Sequence, residues 1–236
     1  MLIVPDHLVK QRCSMSGQMQ IKTEPKPGKG KADIRRVNES AILGAAESVF
    51  AEFGFRGATT SLIAERAGIP KANLHYYFPT KEALYRNVID NIFNIWLDAA
   101  NSFDDCDDPA EALTRYISTK MDISRDHPMG SKVWANEILH KAPVIHDYLE
   151  TTLRQWTDSR VKIIQRWIEE GKIDPVNPEY LLYMIWATTQ HYADFNHQID
   201  TLNNGRPLTE AQFEEAKAQV VNTILRGIGI SPEPQR

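Results

Sequence analysis

FGFRGATTSLIAERAGIPKANLHYYFPTKEAL, residues 53–84 of a 236-residue chain, carries the strongest local pattern in the sequence. Gly54 and Gly57 interrupt the preceding helix, because glycine adopts the backbone angles that end helices. Thr59 is placed to cap a short helix over residues 60–67, its hydroxyl accepting from a free N–H of the first turn. Gly68 permits a sharp turn. Pro70 suits the first turn of the next helix, where its missing N–H is not needed. That helix can run only to Tyr77, since Pro79 disfavours helical geometry at Phe78. Thr80 then caps a longer helix that opens with Lys81 and Glu82. Helix, glycine turn, short helix is the layout of a DNA-binding helix-turn-helix, whose second helix enters the major groove.

The second short helix has side chains suited to that task. Lys71 and Asn73 can donate to base edges or phosphates, and Ala72 is small enough to approach a thymine methyl. His75 and Tyr77 can reach backbone oxygens. Lys81 lies near a helix start, where free N–H groups already favour a phosphate. On spacing alone, an ordinary αα-hairpin with a polar outer face reads the same way.

The run Thr59, Ile63–Ala64, Ala67–Gly68–Ile69, Leu74, Tyr77–Phe78 and Lys81 to Leu84 closely resembles the DNA-binding domain of TetR-type repressors. The resemblance implies an all-α chain: an N-terminal three-helix helix-turn-helix domain, then a larger helical domain for ligand binding and dimerisation. It further implies operator contacts from Thr59, Thr60, Lys71, Ala72, Asn73, His75, Tyr76, Tyr77 and Lys81 to double-stranded DNA. His75 stands where such repressors often carry tyrosine.

Residues 1–33 are polar, with Pro25, Pro27, Gly28 and Gly30 set among Lys22, Lys26, Lys29 and Lys31, and read as a disordered basic tail. Such a tail either solubilises or touches DNA phosphates at low salt. Met15 and Met19 are further candidates for the translation start. Residues 34–84 form the expected head. Its first helix, over residues 34–53, carries Ile42, Ala45, Ala46, Val49, Phe50 and Phe53 on one face, ready to pack on Leu62, Ile63, Leu74 and Phe78. Arg35 and Arg36 near its start read as solvated surface or as backbone contacts.

Composition narrows the class. An apolar share of 42% supports a packed core, and 25% charged residues fit a soluble globular chain. Residues 1–90 hold 13 Lys and Arg against 9 Asp and Glu, whereas residues 91–236 hold 14 against 22. A mildly basic front and an acidic back fit a DNA-binding head on a regulatory body. Cys13 and Cys106 share no metal or redox spacing, so a reduced, cytoplasmic protein without disulfides is expected, and no cofactor is expected. No apolar run approaches the ~20 residues of a membrane span, and Leu2–Val4 is too short for a signal peptide.

From Lys81 to about Phe103 one helix links head to body, with Leu84, Val88, Ile92, Ile95, Trp96 and Ala99 at three- and four-residue spacing. Its first turn belongs to the head and its far end to the body, so a ligand shifting the far end would tilt the head. The run Asp104, Asp105, Cys106, Asp107, Asp108 reads as a solvated loop. Residues 85–236 form the body, with helices expected over 109–125, 128–141, 143–170, 178–202 and 208–229. The helix with Leu181, Leu182, Met184, Ile185, Trp186 and Ala187 is apolar nearly all round, so it must be buried on several sides. The last helix carries Phe213, Ala216, Val220, Val221, Ile224, Leu225 and Ile228. These two helices from each of two chains would build a four-helix homodimer interface, as paired half-sites about 34–36 Å apart require.

Within the same family, MIWATTQHYADF (184–195), NIWLDAA (94–100), ISRDHP (123–128) and Glu137 with Ala142–Pro143 resemble a pyrimidine-utilisation branch. That resemblance implies a uracil-type effector held by Trp96, Trp186 and Gln190. A flat ring with a donor–acceptor edge is matched by indole faces and a carboxamide that gives and accepts hydrogen bonds. Without the resemblance, both tryptophans read as core.

Two other readings compete. His191, Asp194 and His197 lie three apart on one helix, and with the buried carboxylate of Glu137 they are the residues a helical metal-dependent hydrolase would use. Neither a phosphate-cradling glycine loop nor a nucleophile elbow accompanies them. Alternatively, the head could carry a drug or acyl sensor, which would favour a longer, uniformly apolar pocket.

Overall fold

The computed structural model describes residues 31–100 and 106–231. Most of the basic tail, Cys13, and Asp104 and Asp105 of the acidic run lie outside the described residues, as does the stretch where the linking helix was expected to end. The described residues are helical throughout, without a strand.

Helix α1 (Lys31–Gly57) buries Ile42, Ala46, Val49 and Phe50. The expected end at Phe53 corresponds to a kink rather than a stop: Gly54 takes φ 65, ψ 175 within continuing helical hydrogen bonding. Phe53, just before the kink, is 44% exposed, contrary to its expected place on the apolar face. Phe55 takes that place, its ring 6.3 Å from Phe50 and 4.8 Å from Tyr85. Helix α2 (Thr60–Arg66) starts at the expected cap, with the Leu62 N–H donating to Thr59 Oγ1 at 3.2 Å. Gly68 then turns with φ 69. Helix α3 (Lys71–Tyr77) begins one residue later than expected, because Pro70, at ψ 140, is its N-cap. It stops at Tyr77, where Phe78 becomes extended before Pro79.

Helix α4 (Lys81–Ala100) is capped by Thr80, whose Oγ1 accepts from the Ala83 N–H at 3.0 Å. The body follows with α5 (Pro109–Asp126), α6 (Pro128–Leu139), a short α7 (His146–Tyr148), a π-helical turn Leu149–Leu153, and α8 (Arg154–Glu169). The single helix expected over 143–170 is thus broken at its start. Lys141 and Ala142 adopt φ 68 and 51, and Glu137 Oε1 takes the freed Val144 N–H at 2.7 Å. The stretch 178–202 also divides, into α9 (Pro178–Asp194) and α10 (Asn196–Leu202), before α11 (Glu210–Gly227) closes the chain. The break at Phe195 lies between two polar ties to α6: Ser131 donates to Asp194 at 2.6 Å, and Lys132 to Asn196 at 2.8 Å.

The described part of the acidic run is solvent-exposed, as expected, and its carboxylates are engaged at the surface. Asp108 caps α5 by accepting from the Ala110 N–H, and Asp107 pairs with Lys172 at 2.7 Å and Arg166 at 2.8 Å. These bonds, Lys172 foremost, hold the Asp107 carboxyl below its ordinary pKa.

Two apolar cores organise the chain. One joins the head to the near part of the body: Phe50, Ile63, Leu74, Leu84, Tyr85 and Phe93 pack continuously with Val133, Trp134 and Ile145. The 84/85 boundary is therefore one of chain order and not of packing. The second core unites α5, α8, α9 and α11 through Leu113, Ile117, Ile164, Trp167, Leu182, Ile185 and Leu225. Helix α9 buries Leu181, Leu182 and Ile185, yet leaves Tyr180, Tyr183 and Met184 exposed in the single chain. No described helix is long and apolar enough to cross a membrane.

Candidate DNA-binding face and ligand cavity

Helix α3 buries Leu74 and leaves Lys71, Ala72, Asn73, His75 and Tyr76 exposed. One leucine anchors the helix to the head core, and the remaining side chains are available to a partner. The other expected contact residues divide differently. The Tyr77 hydroxyl accepts from Asn38 Nδ2 at 3.1 Å, and its ring lies 6.0 Å from the Arg35 guanidinium. Arg35 is itself paired with Glu39 at 2.9 Å. Thr59 spends its hydroxyl on the α2 cap, and Thr60 is half-buried. Lys81 turns inward: its ammonium donates to the carbonyls of Phe55 at 2.8 Å and Ala58 at 3.1 Å, over the Phe55 ring. Thr59, Tyr77 and Lys81 thus brace the head, while the exposed group of α3 faces outward.

The three expected ligand residues, Trp96, Trp186 and Gln190, line one cavity of about 610 Å³. Helix α4 contributes Phe93, Trp96 and Leu97, and α6 contributes Trp134 and Ile138. The π-helical turn supplies Leu149 and Leu153, α8 supplies Trp156, and α9 supplies Tyr183 with Trp186 and Gln190. Trp96 meets Trp134 edge to face at 5.2 Å, and Trp156 lies 6.1 Å from Trp186. Such a wall is largely aromatic and favours flat, polarisable ligands.

Three polar groups interrupt it. Trp186 Nε1 donates to the Tyr116 hydroxyl at 2.9 Å, which fixes the indole plane. Burial pushes the Tyr116 hydroxyl well above its ordinary pKa, so it stays protonated. Gln190, half-buried, presents a carboxamide one turn from Trp186. Lys120 on α5 is 5% exposed, and burial pulls its pKa down to about 8 against the opposing pull of Asp194. Neither Tyr116 nor Lys120 was singled out from the sequence, nor was Trp156. The signal for Lys120 was available: it interrupts the stripe Leu113, Tyr116, Ile117, Met121 and Ser124 at helical spacing.

The cavity is tied to the head through α6. Glu137, 2% exposed and one residue from the lining Ile138, accepts from the Tyr85 hydroxyl at 2.9 Å. Tyr85 lies in the first turns of α4 against Phe50, at a ring distance of 4.8 Å. Burial, reinforced by the Glu137 charge, raises the Tyr85 pKa far above normal, which keeps it a donor. Both Glu137 oxygens are thus held by structural partners. The residues His191, Asp194 and His197 also serve separate ends: His191 stacks on Phe195 at 5.0 Å, and Asp194 accepts from Ser131.

Comparison with known proteins matches both halves. The family model "Bacterial regulatory proteins, tetR family" matches residues 42–88, and "YcdC-like protein, C-terminal region" matches residues 89–231. The chain is 40% identical over 190 residues to the HTH-type transcriptional regulator RutR of Escherichia coli strain K12, covering 80% of this chain and 90% of that protein. Among solved structures, the putative transcriptional regulator SCO4942 from Streptomyces coelicolor superposes with a TM-score of 0.64 at 21% identity, covering 81% of this chain and 98% of the other. The ketosteroid transcriptional regulator KstR2 of Mycobacterium tuberculosis does so at 0.62 and 24%, covering 80% and 94%. These two likenesses concern the fold.

Proposed function

The chain belongs to the TetR family of bacterial transcriptional regulators, and from that membership we propose that it is a repressor of pyrimidine or related nitrogen-compound catabolism, released from its operator by a small pyrimidine. The reading as a metal-dependent hydrolase falls with that membership: the relatives and the fold are those of regulators, not enzymes. The observation that carries the effector reading is the meeting of Trp96, Trp186 and Gln190 on one aromatic cavity. Indole faces take the ring, and the Gln190 carboxamide takes its donor–acceptor edge.

The proposed operator is held by Lys71, Ala72, Asn73, His75 and Tyr76, exposed on α3, with Thr59, Thr60, Tyr77 and Lys81 shaping the face behind them. The protein acts as a cytoplasmic homodimer. The exposed Tyr180, Tyr183 and Met184 of α9 support a partner there, together with α11. Release works through α4. One end of that helix packs in the head through Leu84 and Tyr85, and about 17 Å along it, at 1.5 Å per residue, Trp96 stands on the cavity wall. A ligand that binds more tightly when Trp96 closes on it biases the helix and mis-spaces the two recognition helices.

The test is a titration of operator DNA at fixed salt, with and without uracil. Release by uracil supports the reading. Tight binding that ignores every pyrimidine keeps the repressor and discards the effector. A cavity of about 610 Å³ also falls within the range for drug-sized ligands, so a larger apolar effector is the competing occupant. Gln190→Ala separates the two. It is expected to weaken uracil binding about five- to tenfold, the loss of one buried hydrogen bond, and to leave operator affinity unchanged. A change in uracil affinity below about twofold would remove Gln190 from the pocket's polar edge.

A further inference from the structure

Lys120 lines the cavity from the middle of α5, and its Nζ sits 4.9 Å from the centroid of the Trp96 ring. Among the described residues, the ammonium meets the Trp96 ring and feels the charge of Asp194, with which it forms no ion pair. Asp194, the acid whose charge acts on it, is occupied by the Ser131 hydroxyl, and burial raises its carboxyl above the ordinary carboxylate pKa. Burying an ammonium without a close counter-ion is costly, and the Trp96 face offsets only part of that cost. A chain that retains such a group on a cavity wall holds a donor ready for whatever enters. Among the described residues, no other cationic side chain lines the cavity.

We propose that Lys120 holds a negative charge on the effector: the cavity takes a small planar anion, a pyrimidine that bears a carboxylate or loses an acidic imide proton to water. The charged edge lies on Lys120 and the amide edge on Gln190. The inference rests on the pyrimidine reading of the same cavity. A charge-assisted hydrogen bond on this aromatic wall is stronger than a neutral one, so the anion is preferred over the neutral ring.

The experiment compares three probes of one ring type, uracil, nitrouracil with its more acidic imide, and orotate with its carboxylate. Binding to the full chain is followed by calorimetry and by release of operator DNA, in wild type and in Lys120→Met. Wild type is expected to bind the better of the two anionic probes at least about tenfold more tightly than uracil, and Lys120→Met to bring that ratio close to one. Without ligand, the methionine variant should bind operator normally and melt no lower than wild type, because an uncompensated buried charge has been replaced by an apolar chain of similar length. The proposal is overturned if uracil binds as tightly as both anions, or if the preference survives in Lys120→Met. It is equally overturned if that variant melts lower and its ligand preference is unaltered, since Lys120 would then be a structural partner of Asp194. In each of these cases uracil still binds and the pyrimidine reading stands. If none of the three probes binds wild type, both fail together.

Discussion

Replacing Lys71 and Asn73 together by alanine is expected to lower operator affinity by at least about a thousandfold while leaving ligand binding unchanged. Each side chain that reads a base edge is worth about 1–3 kcal/mol, and a symmetric dimer loses every such contact twice. Both residues are exposed on α3, whose single buried residue is Leu74, so their truncation removes reach without disturbing the head core. A gel-shift or fluorescence titration at several salt concentrations measures the effect. It also separates the two roles: loss of a phosphate contact by Lys71 makes the salt dependence shallower, whereas loss of a base contact by Asn73 lowers the preference for operator over random DNA. Operator affinity within about threefold of wild type would place the reading surface elsewhere. Lys81→Ala provides the contrast. Its ammonium holds the Phe55 and Ala58 carbonyls, so its loss should lower the melting temperature of the head together with DNA affinity.

The second large effect is expected at Glu137. Glu137→Ala strands two donors, the buried Tyr85 hydroxyl and the half-buried Val144 N–H, and each unsatisfied group costs about 1–3 kcal/mol. The variant should therefore lose about 2–5 kcal/mol of stability, or roughly 5–15 °C in melting temperature for a chain of this size. Thermal unfolding by circular dichroism checks it. Tyr85→Phe removes only the hydroxyl and leaves Glu137 its bond to Val144, so the stability loss is smaller. Its more telling readout is regulatory: uracil binding should persist while release of the operator is blunted, because α4 and α6 no longer share a hydrogen bond. Stability within about 1 kcal/mol of wild type for Glu137→Ala would mean that water or rearrangement satisfies both donors.

Together these sites describe one mechanical path. Trp134 and Ile138 stand on the cavity wall, Glu137 lies between them in sequence on the same helix, and its carboxylate grips Tyr85 inside the apolar core that also holds α1, α2 and α3. The head is thus packed into the near part of the body and is not hung from it by one helix. A shift of α6 or α4 at the ligand is felt by the head core directly, since close-packed interiors transmit displacement.

Much of this was legible in the sequence, for a local reason. The head is encoded by short-range rules: Thr59 and Thr80 cap helices, Gly68 takes a positive φ, and Pro79 ends α3. Each depends on residues within four positions, so reading along the chain suffices. Trp96, Trp186 and Gln190 were legible only through resemblance, because indoles at helical spacing look the same in a core as in a pocket. What the tertiary structure alone decided is long-range. The sequence could not show that Phe53 is exposed before the Gly54 kink while Phe55 packs on Phe50 and Tyr85. Nor could it show that Lys81, placed well for a phosphate, is used on two carbonyls more than twenty residues earlier. The break at Phe195 lies beside a partner on a distant helix, Asp194 with Ser131. Lys120 is the sharpest case: its place on an apolar stripe marks it as buried, but only packing against Trp96 and the cavity shows what its charge faces. Propensity and capping act between neighbours, whereas the environment of a charge is made by whichever helices fold over it.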